Sequence, residues 1–216
     1  MRYQVQNQHN CLRSHIWDNC DAERCTIPTK TGLLSYGDYA DFVLDNAPIF
    51  IKKQGKLYPT GKKKLRDILL EEEAEIDDEF IEHALSMVFP DVRLRNYLEI
   101  RMADSLPYPF SIAYCALMWN IFYKKEVLDS VYDFVYEFSE PELERIKKDA
   151  KKRGTKALYG DISIENLFND ILFWVECFCS PNDIEYIRPL RKMMNEGLDF
   201  KNMTREQLKP FLDCEV

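Results

Sequence analysis

The eleven residues 92–102, VRLRNYLEIRM, alternate apolar and polar side chains at every second position. Successive side chains of a β-strand point to opposite faces, so this period predicts one strand over 92–102. Its apolar face would consist of Val92, Leu94, Leu98, Ile100 and Met102. The other face would carry Arg93, Arg95, Tyr97, Glu99 and Arg101. Three guanidiniums beside one carboxylate predict a face that binds small anions, together with a metal ion or without one.

The composition is typical of a globular protein, with 46% hydrophobic and 13% aromatic residues among 216. A chain of this length predicts one domain over residues 1–216. The net charge of −8 argues against a general nucleic-acid-binding protein, which needs a basic face. A local group of arginines in an acidic protein instead predicts a small anionic ligand.

The seven cysteines include no CxxC pair, and the first residues lack a secretory pattern. We therefore expect free thiols and a cytoplasmic location. The longest apolar stretch, residues 110–123, is shorter than the ~20 residues that span a bilayer, so we expect a buried helix and no membrane partner.

The arrangement of periodic segments predicts an α+β fold. Short helices (36–44, 62–70 and one ending near 87) and a hairpin (48–52 with 56–58) fill the first half, with a short strand near 13–18. The second half is predominantly helical, from residues 110–123 through an amphipathic helix over 162–179 to a last helix after the capping box at 204–207. We expect this helical layer to cover a partial antiparallel sheet that is too small to stand alone.

Glu99 and Arg101 are two residues apart, so on a strand their side chains would lie on one face, about 7 Å apart. The carboxylate can bind Mg²⁺ while the guanidinium binds a phosphate oxygen. An Arg–Glu salt bridge across strands explains the same residues equally well.

A second group precedes this stretch, in the segment RSHIWDNCDAER at 13–24. If the segment is extended, Arg13, His15 and Trp17 share one side, where an arginine beside a tryptophan can hold a carboxylate. Packing of a loop by Trp17 is the alternative. Four soft ligands, Cys11, His15, Cys20 and Cys25, also allow a zinc-site hypothesis, although the usual paired spacings are lacking.

Three ordered motifs carry a family resemblance. The segment FPDVRLRNYLEIRMADSLP at 89–107 resembles the FPxVRxxxYxExRxxD signature of glutamate–cysteine ligases of plant and proteobacterial type. The segment at 13–24 is similar to the upstream RSxIWxxxDxxR motif, and residues 35–48 to SYxDYxxxVLDxP. The chain therefore resembles the C-terminal half of such an enzyme.

The resemblance implies an ATP-dependent reaction, in which glutamate is phosphorylated at its γ-carboxylate and then attacked by the amine of cysteine, or by another small amine. It implies a glutamine-synthetase-like funnel of antiparallel strands with Mg²⁺ bound to carboxylates. Carried over by motif, Glu99 would be the Mg²⁺ ligand and Arg101 would contact the transferred phosphoryl group. Arg93 and Arg95, which extend the same predicted face, are the other catalytic candidates. Substrate binding is assigned by the same motifs to Arg13, Trp17, Arg24 and Tyr97.

Most Mg²⁺-binding glutamates of the family lie upstream of the matching segments, so we expect this chain to be incomplete as a ligase. Two hypotheses follow. In the first, a homodimer or a complementing N-terminal half completes a ligase. In the second, the chain is a non-catalytic half-domain that binds a carboxylate or nucleotide, or serves as a dimerising or partner subunit.

Overall fold

A computed structural model describes residues 10–25, 34–53, 55–72, 76–103, 105–198 and 203–212. Their contacts divide the chain into two compact units. We call the described part of Arg13–Ala103 the hairpin unit, and the described parts of Met1–Leu12 and Asp104–Val216 the helical unit. The expected single domain stays a prediction, and each unit is described by itself.

The hairpin unit combines five helices with two β-hairpins in its described residues. The helices are α1 (Leu12–Asp18), α2 (Ala22–Cys25), α3 (Tyr36–Asp45), α4 (Leu65–Glu72) and α5 (Asp78–Ser86). The strands are β1 (Phe50–Lys53), β2 (Lys56–Pro59), β3 (Val92–Leu94) and β4 (Leu98–Ile100). The expected helices at 36–44 and 62–70, the helix ending near 87 and the hairpin at 48–58 are confirmed within a few residues.

Local sequence explains where these helices begin. Ser35 and Asp38 form a reciprocal capping box at α3, and the Asp77 side chain accepts a hydrogen bond from the Phe80 N–H at the start of α5. Helices α3, α4 and α5 and the residues just after α5 bury a small apolar core, consisting of Tyr39, Val43, Leu65, Ala84 and Val88. Leu94 of β3 packs on the same core, which fixes the second hairpin against the helices.

The continuous strand expected over 92–102 is wrong, because the chain folds back at Arg95–Tyr97. Val92 pairs with Ile100, Arg93 with Glu99 and Leu94 with Leu98 in an antiparallel register. The strand expected near 13–18 is also wrong, since these residues form α1. A seven-residue helix has little stability of its own, and contacts of its Arg13 and Trp17 side chains with neighbouring segments stabilise it.

The helical unit contains six helices and one short hairpin in its described residues. The helices are α6 (Phe110–Tyr123), α7 (Lys125–Tyr136), α8 (Glu140–Arg153), α9 (Ile164–Phe178), α10 (Pro181–Asn195) and α11 (Arg205–Leu212). A 3₁₀ turn (Gly154–Lys156) precedes β5 (Leu158–Tyr159) and β6 (Ile162–Ser163). The helix expected over 162–179 therefore starts later, because residues 162 and 163 pair with β5.

The core of the helical unit forms around α6. Phe110, Ala113, Leu117 and Ile121 are buried together with apolar side chains of α9, α10 and α11. Gly154 ends α8 with φ at 59°, a conformation that suits glycine, and the capping box at Thr204 and Gln207 is confirmed. No helix among the described residues is long and apolar enough to cross a membrane.

The α+β class is confirmed at this coarse level: helices predominate, and the strands form three separate two-stranded antiparallel sheets in the described part of the chain. The funnel and its helical cover are not tested by these hairpins. The second hairpin leaves much of its apolar side uncovered, since Val92, Leu98 and Met102 are exposed, Leu98 to 62%.

Candidate active site

The hairpin at 92–100 brings Arg93 and Glu99 face to face. Arg93 donates from Nε and Nη2 to Oε2 of Glu99, at 2.8 and 2.7 Å. Its Nη1 donates to the carbonyl oxygen of Ser86 at 3.0 Å. The Arg93 side chain is only 11% exposed and Glu99 32%. The salt bridge across strands, one of the two interpretations open from the sequence, is therefore present.

Arg101 lies on the same face as Glu99, two positions further along. Its backbone N–H donates to the carbonyl oxygen of Asp91 at 2.8 Å, which continues the hairpin by one pair. Its guanidinium carbon lies 5.5 Å from the centre of the Phe89 ring. Among the described residues, its guanidinium has no carboxylate partner.

The electrostatics of Arg101 reflect this position. Burial lowers the pKa of Arg101, and the positive charges of Arg93 and Arg13 lower it further, against an opposing effect of Glu99. An anion placed at this guanidinium would relieve the repulsion among the three arginines. We call Arg13, Arg93 and Arg101 the arginine cluster.

Helix α1 supplies Arg13 and Trp17, which face the same way because they are one helical turn apart. The Arg13 guanidinium lies 5.5 Å from the Trp17 ring centre, and its Nη1 is 3.6 Å from Oδ1 of Asp91. That nitrogen is buried and has no hydrogen-bond partner in the described structure. The extended geometry expected for 13–18 is wrong, but Arg13 and Trp17 do come together.

Of the remaining predicted residues, two arginines have other partners and the tyrosine is exposed. Arg24 donates from Nε to the carbonyl oxygen of Ala47 at 3.0 Å and pairs with Asp21 at 3.2 Å. Arg95 pairs with Glu82 of α5, and Tyr97 is 56% exposed at the turn. Their predicted substrate and catalytic roles are not tested by these contacts and stay predictions.

The described residues give the zinc-site hypothesis no support. No three His, Cys, Asp or Glu side chains in the described part of the chain are arranged to hold a metal ion. His15 lies in α1, where Asn19 donates to its carbonyl oxygen at 2.7 Å. With residues 12–18 in a helix, the side chains of Cys11, His15, Cys20 and Cys25 are not brought together as a set of metal ligands.

Tyr39 and Phe89, which lie in the family motifs but are given no role by them, also belong to the site. The Tyr39 hydroxyl accepts a hydrogen bond from the Leu94 N–H at 3.1 Å, and burial raises the pKa of this phenol. Phe89 stacks on Trp17 with ring centres 5.9 Å apart. A tyrosine in a helix and a phenylalanine before a proline are typical of ordinary core packing, so their places in the motifs at 35–48 and 89–107 are the signal that could have identified them.

Cys25 gives a testable pH dependence. Burial raises the pKa of its thiol, and Asp21 raises it further, while Arg101 lowers it. At a pH between the ordinary pKa of 9.0 and the raised pKa of the folded chain, the Cys25 thiol is deprotonated in the unfolded chain and protonated in the folded chain. The stability that the thiol contributes is therefore present below pH 9 and lost as the pH rises through the raised value.

We expect the free energy of unfolding, measured with urea under reducing conditions, to fall less steeply above pH 9 in Cys25→Ser than in the unmodified chain. Cys115→Ser, at an exposed position of the helical unit, is the control and keeps the original slope. Equal slopes for the unmodified chain and Cys25→Ser would contradict this assignment.

The comparisons with known proteins agree with the motifs. The sequence model described as glutamate-cysteine ligase family 2 (GCS2) matches residues 6–173. "Glutamate--cysteine ligase A, chloroplastic" of Oryza sativa subsp. indica is 28% identical over 173 residues, which cover 77% of this chain and 35% of that protein. "Glutamate--cysteine ligase, chloroplastic" of Brassica juncea is 29% identical over 175 residues, covering 74% and 33%.

The chain thus spans about a third of the length of the curated relatives it matches. The family resemblance drawn from the three motifs is confirmed. The names of these relatives place them in chloroplasts, so the expected cytoplasmic location of this chain stays a prediction.

Proposed function

Since this chain belongs to glutamate-cysteine ligase family 2, we propose that it contributes one wall of an ATP-dependent site joining the γ-carboxylate of glutamate to the amine of cysteine or another small amine. The γ-carboxylate takes the phosphoryl group of ATP, and ADP leaves. The amine then attacks the acyl phosphate carbon, the C–N bond forms, and phosphate departs while the amine loses a proton.

The observation that carries this proposal is the state of Arg101. Its guanidinium is half-buried, lies near two other guanidiniums, and has no carboxylate partner among the described residues. Arg93, in contrast, is held by Glu99. Phosphoryl transfer spreads negative charge over several oxygens, and positioned cations stabilise that charge. Arg101 is the cation of the cluster that is available for it.

Arg13 is suited to the carboxylate of an amino-acid substrate. Its Nη1 lies 3.6 Å from Oδ1 of Asp91 but makes no hydrogen bond, and a guanidinium can hold a carboxylate through two parallel bonds. Trp17 supports the guanidinium from one side. Arg24 would act indirectly, since its bonds to Asp21 and Ala47 hold the segment after α1 in place.

The described residues of the site offer Mg²⁺ one carboxylate ligand, Glu99. Both Arg93 bonds end on Oε2 of Glu99, which leaves Oε1 for a ligand. Mg²⁺ commonly takes one or two protein carboxylates and completes its shell with water and phosphate oxygens. Glu99 would supply one such ligand, and the bound ion would neutralise charge on the phosphates.

A partner that completes the site is part of the proposal. The uncovered apolar side of the 92–100 hairpin, with Val92, Leu98 and Met102 exposed, supports a homodimer or a complementing N-terminal half. The non-catalytic alternative is favoured by the Arg93–Glu99 salt bridge, which neutralises the single predicted metal ligand. Binding of nucleotide or carboxylate without turnover would match it.

Replacing Arg101 by glutamine tests the proposal. A hydrogen bond to a charged group contributes about 1.5–3 kcal/mol, so we expect Arg101→Gln to weaken the binding of Mg·ATP by about tenfold to a hundredfold. Calorimetric titration of the full chain measures the affinity, and urea unfolding verifies that the variant is folded.

Arg66→Gln is the matched control, because Arg66 is an exposed arginine of the hairpin unit that pairs with Asp41 and Asp45 on the surface. It should bind Mg·ATP like the unmodified chain. Equal affinities of the unmodified chain and a folded Arg101→Gln variant would refute the assigned role of Arg101.

A further inference from the structure

Four side chains of the hairpin unit form a continuous stack. The Arg13 guanidinium lies 5.5 Å from the Trp17 ring centre. Trp17 stacks on Phe89 at 5.9 Å with an interplanar angle of 17°, and the Arg101 guanidinium lies 5.5 Å from the Phe89 ring centre. The two aromatic rings therefore lie between the two guanidiniums to which the proposed function assigns ligands.

Residues 89–91 also contact the segments that carry the two arginines. The Phe89 N–H donates to the carbonyl oxygen of Arg24 at 2.8 Å, which ties it to the end of α2. Two residues later, Asp91 pairs with Arg13 through its side chain and accepts the Arg101 N–H at its carbonyl oxygen. Residues 89–91 thus contact both arginines at once.

We propose that Phe89 is a positioning residue that holds the Arg101 guanidinium in place for one dianionic group, a phosphate or an acyl phosphate. This inference rests on the proposed function and assigns a role to a side chain that does not itself touch the ligand. The like charges of Arg93 and Arg13 would otherwise displace the Arg101 guanidinium.

The physical reason is the quadrupole of the aromatic ring. A ring face attracts a guanidinium placed above it, and the attraction grows when water is excluded. Phe89 and Trp17 offer such faces to Arg101 and Arg13 respectively, and their mutual stacking holds the faces at a constant distance. An aliphatic side chain of similar bulk keeps the packing but loses the attraction.

The test compares Phe89→Leu with Phe89→Tyr in calorimetric titrations of the full chain with inorganic phosphate. We expect Phe89→Leu to weaken phosphate binding roughly threefold to tenfold. Phe89→Tyr keeps the ring and should stay within about twofold of the unmodified chain. Phe50→Leu is the matched control, because the Phe50 ring packs on His83 in the same unit, and it should leave the affinity unchanged.

A double-mutant cycle separates positioning from general destabilisation. If Phe89 acts through Arg101, the effect of Phe89→Leu should shrink to less than about twofold in the Arg101→Gln background. A merely structural loss would lower the affinity by the same factor in both backgrounds, and that result would overturn the inference.

Three other outcomes show whether the role of Phe89 or the proposed function itself is wrong. Phosphate binding that weakens in Arg101→Gln but not in Phe89→Leu overturns the role of Phe89 and leaves the proposed function standing. Equal weakening by Phe89→Leu and Phe89→Tyr also overturns it, since the ring would then be irrelevant. No phosphate binding by the unmodified folded chain overturns the proposed function and this inference together.

Discussion

Replacing Arg93 by methionine should destabilise the hairpin unit by about 2–4 kcal/mol. Arg93 is nearly buried, and its guanidinium bonds Glu99 twice and the carbonyl oxygen of Ser86. Methionine keeps the apolar stem but leaves the carboxylate and the carbonyl oxygen without these donors. Because Glu99 is partly exposed, water recovers some of the loss, which places the effect below that of a fully buried pair.

Unfolding of the hairpin unit can be followed by itself. Trp17 is its one tryptophan, since the chain has three and the other two are Trp119 and Trp174. Urea titration of a Trp119→Phe, Trp174→Phe background therefore reports this unit through Trp17 fluorescence. Arg95→Met is the control, because the Arg95–Glu82 pair is more exposed and its loss should cost less than the loss of the Arg93 bonds. A smaller loss for Arg93→Met than for Arg95→Met would contradict the structural role of Arg93.

Replacing Phe110 by alanine should destabilise the helical unit by about 3–5 kcal/mol. The Phe110 side chain is fully buried at the start of α6, with its ring 5.0 Å from that of Phe211. Its removal loses the transfer free energy of the ring and leaves a cavity among α6, α10 and α11. Thermal or urea unfolding followed by Trp174 fluorescence, in a chain lacking Trp17 and Trp119, measures the loss.

Phe122 of the same helix provides the matched comparison. Its side chain is exposed, so Phe122→Ala removes the same ring without opening a cavity and should cost less than about 1 kcal/mol. Similar losses for the two variants would contradict the assignment of the core around α6.

The alternation at 92–102 correctly predicted which side chains share a face, yet it concealed the turn. The paired residues differ by an even number of positions, as Arg93 and Glu99 do, because the hairpin is centred on Asn96. Residues of the same parity then stay on the same face on both strands, and the alternation continues through the turn. The turn contains neither Gly nor Pro, so the sequence carries no strong turn signal there.

The helices were easier to predict than the site. The apolar run at 110–123 and the capping residues carry local signals that need no partner, and α6 begins and ends where expected. The stack of Arg13, Trp17, Phe89 and Arg101 depends on contacts between segments far apart in the chain. Local periodicity contains no information about such contacts, so α1 was expected to be extended.

Arg93 and Arg101 differ in the contacts that hold them. The family motif contains both Arg93 and Arg101, but the structure gives them different surroundings. Arg93 is bonded to Glu99 and Ser86, whereas Arg101 has no ion-pair partner among the described residues. Loss of Arg93 should therefore appear first as loss of stability, and loss of Arg101 as loss of ligand binding.

The most direct test of the central claim is calorimetric titration of the unmodified full chain with Mg·ATP, carried out with and without saturating glutamate. We predict measurable binding in both cases and tighter binding of Mg·ATP when glutamate is present. The two ligands would both lie at the arginine cluster, beside the Mg²⁺ ion that Glu99 would hold. A folded chain that binds Mg·ATP in neither condition would contradict the claim that this region forms a wall of a ligase site.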